Sequence, residues 1–384
     1  MRILAIALLL SSTSVQLLAQ NATRGAVELI TTLSGHTKSI EQIEFGRSGD
    51  VIATSSKDRT VRLWNVVSGE CLATIAGDGA EPSKLNWSDD GRRLAITYRR
   101  DKTWEVVVWE APANRLPIAG RRFPDAYFYE WSPDNRSFVA LNGEVKLNIW
   151  DAVSGQLTQT LNPEPATYIV AFVTAGQRIL TASDYGPVQL WDVATGKLVR
   201  SYPTDECVNS GNYPALLRPV LSPDKRVLLR GAVKNDSVEK SPHTYLTMRE
   251  IDDGKELLTF QMPEGVQQIF WTPDGKTLAI VGLEFGPRLI DTATGRETAR
   301  LPFENCWPWT LWGSDGCEPL SFNADGAVVL KAKEPIKLWD TTTVTLIAEL
   351  KDAHLPAVFS PTDSRLLATR SKNKKSLLLW RLQR

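Results

Sequence analysis

The decisive stretch is Gly35-His36 followed, nineteen residues on, by Ser55-Ser56-Lys57-Asp58-Arg59-Thr60-Val61-Arg62-Leu63-Trp64-Asn65. Lys57-Asp58-Arg59 is a polar turn. From Thr60 the chain alternates polar and apolar side chains up to Trp64, the two-residue period of a half-buried strand. Equivalent positions follow at Trp109, Trp150, Trp191, Arg249, Ile290, Trp339 and Trp380, and 41 residues is the commonest step between them. A fixed period of this size marks a closed array or solenoid built from one repeated supersecondary unit.

Each repeat has the same grammar. About twenty residues before the tryptophan site stands a bulky apolar residue: Phe45, Trp87, Trp131, Phe172, Leu221, Trp271, Phe322 or Phe359. A turn follows, as in Ser132-Pro133-Asp134-Asn135 or Thr272-Pro273-Asp274-Gly275. Pro presets φ there, Asp bonds its own backbone, and Gly or Asn accepts positive φ. A short β-rich run comes next (Val51 to Thr54, Leu94 to Thr97, Leu278 to Val281), then a second turn and the alternating strand. A third turn carries Gly69, Gly155, Gly196, Gly254 or Gly295 and leads into a fourth strand. Four short strands per repeat and no helical period describe an all-β chain.

With these motifs in hand, residues 35–65 resemble one whole repeat of the WD-repeat family, and Trp150-Asp151, Trp191-Asp192 and Trp339-Asp340 repeat its signature pair. The resemblance implies a single β-propeller of four-stranded blades over residues 26–384. Most such propellers have seven blades; the count of sites here gives eight, with seven as the alternative if blade five or six, where Arg249 and Ile290 replace the tryptophan, were lost. The eighth repeat supplies three strands at the C-terminal end. The segment from Ala26 to Leu33 reads like the fourth, so an N-terminal strand is expected to complete the last blade and remove two open sheet edges. In the family a His, a hydroxyl on the second strand, an Asp and the Trp form a hydrogen-bonded set. Only the first repeat offers it, through His36, Asp58 and Trp64; Glu144, Tyr185, Lys333 and Lys374 fall at the Asp position elsewhere. Trp109, Trp150, Trp191, Trp339 and Trp380 are expected to be structural.

Residues 1–19 are expected to be a signal peptide. Met1-Arg2 is a positive start, Ile3 to Leu10 is apolar, and Ala19 precedes a small-residue cleavage point; the run is too short to span a membrane. Export to the periplasm or outside the cell follows as an expectation. Cys306 and Cys317 flank one loop and would pair in an oxidising compartment, whereas Cys71 and Cys207 lie on opposite sides of an eight-membered ring.

The 44 basic and 44 acidic residues cancel, which excludes a global field that draws in nucleic acid. Their distribution is uneven. The turns between the second and third strands share one face with the inter-blade loops in this family. On blades seven, eight, one and two those turns carry Lys331 and Lys333; Lys372, Lys374 and Lys375; Lys57 and Arg59; and Arg99, Arg100 and Lys102. Ring closure makes the four blades contiguous, so a basic half-face is expected, against the plainer reading that charged turns merely confer solubility. The loop into blade seven adds Trp307, Trp309 and Trp312, residue types that dominate binding hot spots and stack on sugars.

Catalytic signatures are absent from the sequence. Three histidines share no metal-ligand spacing, and no zinc, phosphate-loop or nucleophile motif occurs. The expectation is a monomeric, non-catalytic binding scaffold without a metal or cofactor, whose partner is a protein or an acidic polymer. Two alternatives stand beside it: an enzyme or a cofactor- or metal-binding propeller using the central channel, and a carbohydrate binder using the Trp-rich loop.

Overall fold

The computed structural model describes residues 26–110, 118–163, 167–183, 187–202, 216–235, 242–263, 266–282, 286–302, 320–331 and 335–383. They form eight four-stranded antiparallel sheets, the blades of a propeller ring. Strands within a blade run a to d in sequence, as in blade one with Ile40–Phe45, Val51–Ser56, Thr60–Asn65 and Cys71–Ala76. Blade eight alone is composite. Its strands a to c are Ala353–Phe359, Leu366–Ser371 and Ser376–Leu382, and Val27–Ser34 supplies strand d. The register runs from Val27 opposite Leu382 to Ser34 opposite Ser376, so both ends of the array are tied into one sheet. Eight blades and the closing strand agree with the sequence expectation; the seven-blade alternative falls.

Burial follows position in the blade. Strand b is covered on both faces by neighbouring blades, and Leu94 to Tyr98 are all buried. That is why strand b reads as a continuous apolar run rather than an alternating one. Strand d lies at the rim and buries alternate residues, as Ala73 and Ile75 do in blade one. Strands a of adjacent blades touch each other (Ile40–Phe45 with Glu81–Trp87, Tyr127–Trp131 with Thr167–Val173), which places them at the ring's centre. The a–b turns follow the anticipated chemistry. Thr272 Oγ1 donates to Asp274 Oδ1 at 2.6 Å and accepts from Thr277 N at 3.0 Å. Gly275 takes φ +71°; Asn135 and Lys225 hold the same left-handed place in blades three and five, at +59° and +57°.

Blade one contains the polar brace. Trp64 Nε1 donates to Thr54 Oγ1 at 2.8 Å, Thr54 Oγ1 lies 2.8 Å from His36 Nε2, and His36 Nδ1 lies 2.9 Å from Asp58 Oδ2. One tautomer satisfies the whole chain: Thr54 donates to Nε2, and Nδ1–H donates to Asp58. A neutral ring is what this needs, and burial lowers the His36 pKa against the pull of Asp58. Burial pushes the Asp58 carboxyl up, but the Thr60 hydroxyl, the Thr37 N–H and His36 outweigh it and hold it at about 2.

The tryptophan–hydroxyl part of that brace extends beyond blade one. Trp191 donates to Thr181 Oγ1 at 3.0 Å, and Trp380 to Thr369 Oγ1 at 2.9 Å. In blades two and three the residue in the threonine's place is Ile96 or Ala140, by the register that pairs Trp109 with Leu94 and Trp150 with Phe138. The Trp109 and Trp150 N–H groups are correspondingly buried without a hydrogen-bond partner. Blade eight also corrects a detail of alignment. Asn373 Oδ1 accepts from Lys375 N as Asp58 Oδ1 accepts from Thr60 N, so Asn373 stands at the Asp58 position. Lys374 instead matches Arg59, with φ of +64° and +69° respectively.

Candidate binding face

The b–c turns and the inter-blade d–a loops lie on one face and are bonded to each other. Lys57 N donates to Ser39 O at 2.9 Å, Gly77 N to Arg59 O at 3.0 Å, and Lys372 N to Asp352 O at 3.1 Å. At the closure of the ring Ile40 N donates to Lys374 O at 2.7 Å, which sets the lysine turn of blade eight directly beside blade one. Lys372, Lys374, Lys375, Lys57, Arg59, Arg99 and Lys102 are exposed along this arc. Sequence reasoning grouped these residues, and the geometry brings them together.

The same geometry adds acidic neighbours that a turn-by-turn reading omits. Glu41 Oε1 sits 3.7 Å from Lys57 Nζ, and Glu81 lies opposite Arg99 in the strand register. Arg100 Nε is 2.7 Å from Glu105, which also receives Arg122; Arg122 in turn contacts Asp78. Glu41, Lys57, Glu81, Arg99, Ser56 and Trp104 line a cleft of about 280 Å³ between blades one and two. The face is therefore mixed at this cleft and cationic to either side, at Arg59, Lys102 and the three blade-eight lysines. On blade three the acidic residue of the b–c turn is neutralised locally, Lys146 Nζ lying 2.7 Å from Glu144. Lys331 ends strand b of blade seven rather than sitting in its turn. Lys333, Trp307, Trp309, Trp312, Cys306, Cys317 and the segment 1–19 lie outside the described residues, and Cys71 is an exposed free thiol.

The channel wall holds a second set of polar groups, which sequence reasoning missed. Strand a exposes an unpaired inner edge, a row of backbone groups needing partners. A register shift in this strand (Ile40/Gln42, Pro82/Lys84, Phe128/Glu130) re-aims the following residue. That residue then reaches the next blade's edge. Gln42 Oε1 accepts from Leu85 N at 3.0 Å, and Lys84 Nζ donates to Phe128 O at 3.2 Å. Glu130 accepts from Phe172 N and also from Lys225 Nζ of blade five. Glu44 adds a bond from Trp87 N at 3.2 Å. Burial raises the Glu44 pKa to about 7 despite that bond and the nearby Lys84 ammonium. Burial likewise raises Glu130 against Lys225 and lowers Lys84 against Glu44 and Glu130. The legible signal was a polar residue after the apolar start of strand a: Gln42, Lys84, Glu130, Gln268. Of these, Gln42, Lys84 and Glu130 stitch neighbouring blades together. Among the described residues no group of three or more His, Cys, Asp or Glu is arranged to hold a metal, and no helix is long and apolar enough to cross a membrane.

Comparison with known proteins bears on the fold. The profile of the WD domain, G-beta repeat, matches residues 27–65, the closing strand and the first three strands of blade one. It is a WD-repeat-like β-propeller. This propeller is 23% identical over 257 residues to Nuclear distribution protein nudF of Aspergillus niger, covering 60% of this chain and 57% of that one. Similarity to THO complex subunit 3 of Arabidopsis thaliana is 26%, over 44% of this chain and 53% of that one. To Eukaryotic translation initiation factor 3 subunit I of Aspergillus terreus it is 28%, over 48% and 59%. The propeller thus spans about half the length of the curated relatives it matches. The computationally designed Ika8 protein superposes with a TM-score of 0.62 at 16% identity, covering 92% of this chain and all of that one, a likeness of fold alone.

Proposed function

We propose that this WD-repeat-like propeller is a non-catalytic binding scaffold that engages a protein or an acidic polymer through its b–c turn face, centred on blades eight, one and two. The carrying observation is the bonded closure of the ring: Ile40 N on Lys374 O places Lys372, Lys374 and Lys375 in one arc with Arg59, Arg99 and Lys102. Cations on a rigid rim steer an acidic partner and set salt-dependent association. Two relatives, THO complex subunit 3 and initiation factor 3 subunit I, are by name subunits of larger assemblies, which fits a scaffold. A monomeric working unit is part of the proposal, and closure of the ring within one chain is consistent with it. Export directed by residues 1–19 is part of the same reading, and Trp307, Trp309 and Trp312, outside the described residues, are carried as further candidate binding residues.

The test uses two baits in affinity capture from host extract at low and moderate salt: the mature protein, and the same protein with Arg99, Lys372, Lys374 and Lys375 changed to Glu. A partner held by the first, released by salt and absent from the second supports the reading. Equal retention by both baits would mean the charged turns only confer solubility. Fractionation of cells expressing the chain with and without residues 1–19 tests export; identical distribution would remove that part.

A further inference from the structure

Blade five departs from its neighbours at two coupled positions. In blades one, four and eight the strand-c tryptophan lies opposite Ile52, Ile179 or Leu367 and donates to the threonine two residues further along strand b. In blade five Arg249 occupies the tryptophan place, opposite Leu228. Two residues beyond Leu228 is Arg230. Both members of the couple are thus arginines. Blade six, which also lacks the tryptophan, fills the two places with Ile290 and Ile280, the ordinary apolar solution.

The two guanidinium-bearing residues are diagonal neighbours on adjacent strands, roughly 7–8 Å apart at the backbone, where like charges disfavour the sheet. A third joins them across the seam. Arg200, on strand d of blade four (Leu198–Tyr202), shares with Arg230, Arg249, Ser201, Thr247 and Tyr202 a cleft of about 260 Å³. Arg230 is only 9% exposed, while the Arg249 side chain is 34% exposed and reachable from solvent. Arg200 lies over the Tyr202 ring at 5.9 Å. Gly254 permits that stacking, since a Cβ there would fall 3.1 Å from Arg200 Nη1 and 3.3 Å from the Tyr202 ring. Among the described residues the Glu256 carboxylate reaches Arg249 at 3.0 Å from an exposed position.

We propose that this blade four–five seam is a binding site for a tetrahedral oxyanion, a phosphoryl or sulfate group. Guanidinium forks match such anions through paired N–H donors, and Arg is favoured over Lys where a buried anion is held. The Ser201 and Thr247 hydroxyls add donors. A planar carboxylate is satisfied by one fork, as Glu256 is by Arg249; a tetrahedral dianion uses cations arriving from three strands. The cleft borders the c–d turn of blade five, where Gly254 sits, and so lies away from the b–c turn face. Its occupant does not compete with a partner bound there.

The test titrates the full chain with inorganic phosphate, and separately with sulfate and with O-phosphoserine, at constant ionic strength set with chloride, reading Tm and calorimetric heat. Wild type is expected to gain Tm saturably. Arg230→Thr combined with Arg249→Trp rebuilds the couple of blades one, four and eight, and is expected to remain folded and lose the response. Arg200→Gln, at an exposed position, is expected to weaken binding about tenfold and serves if the double variant does not fold. Phosphate or phosphoserine binding more tightly than sulfate assigns a phosphoryl ligand, and the reverse order a sulfated one; either supports the site. A wild type that responds to these anions no more than to chloride overturns the proposal, as does a folded double variant or Arg200→Gln variant that binds like wild type.

Discussion

Blades one and three carry the same strand-c tryptophan and secure it by opposite means. In blade one Trp64 ends a hydrogen-bonded chain through Thr54 and His36 to Asp58. In blade three Trp150 has Ala140 in the threonine's place and instead packs among aromatics. Phe123 meets it at 5.5 Å between ring centroids and itself meets Phe138 at 4.8 Å, and Phe128 and Trp131 pack against Phe138 to complete the cluster. Edge-to-face aromatic pairs add to their area burial, whereas a satisfied buried hydrogen bond contributes about 1 kcal/mol net. The blade geometry therefore does not require the polar brace. A sheet covered on both faces needs its seam filled, and either chemistry fills it.

Substitutions in the two blades separate these chemistries. The largest effect is expected at Phe138→Ala, which opens a cavity in the aromatic seam and should lower unfolding free energy by about 3–5 kcal/mol in denaturant titration. A loss below about 1 kcal/mol would show that blade three is not held by this cluster. Thr54→Val removes the acceptor for Trp64 N–H and the donor to His36; about 1–3 kcal/mol is expected, and a double-mutant cycle with Trp64→Phe should show coupling absent from the corresponding pair in blade three. Conversely, Ala140→Ser offers Trp150 an acceptor and should stabilise by about 1 kcal/mol or less; destabilisation would mean the missing hydroxyl is not what separates the blades.

The two kinds of polar group also differ in sign with pH. Asp58, held at about 2 in the fold, contributes stability that is complete above its unfolded value of about 4 and lost as pH falls toward 2. His36, with its pKa lowered, works in the same direction: protonation of the unfolded chain below about pH 6.5 draws it away from the native state. Glu44 acts oppositely. Its carboxyl, raised to about 7, keeps a proton that the unfolded chain has lost, so stability falls as pH rises from about 4 to 7. Asp58→Asn should flatten the acid limb of a stability–pH curve. Glu44→Gln should remove the decline toward neutrality, and a curve unchanged by it would discount the channel stitching. The smallest effect is expected from Lys372, Lys374 and Lys375 to Glu, within about 0.5 kcal/mol of wild-type stability, because those side chains are exposed and only their backbones are bonded.

Reading the chain recovered the blade count, the closing strand and the turns, since each rests on local chemistry: a 41-residue step, a Ser/Thr-Pro-Asp turn, an alternating strand. The arc of cations was legible for the same reason. Thr54 escaped because its partner is ten residues away across a hairpin, and the Ile40-to-Phe45 edge bonds escaped because they run between blades. Glu41 and Glu105 escaped because strand residues were not weighed against turn residues.

The architecture is written in the amino-acid sequence, because each repeat carries its own periodic burial and turn chemistry. Which polar groups meet depends on the folded ring. Trp64 with Thr54, Glu130 with Lys225 of blade five, and Arg230 with Arg249 and Arg200 are contacts set by sheet register and by the apposition of neighbouring blades. Register selects the partners within a hairpin, and the apposition of blades brings together residues as far apart along the chain as Glu130 and Lys225, which no single repeat contains.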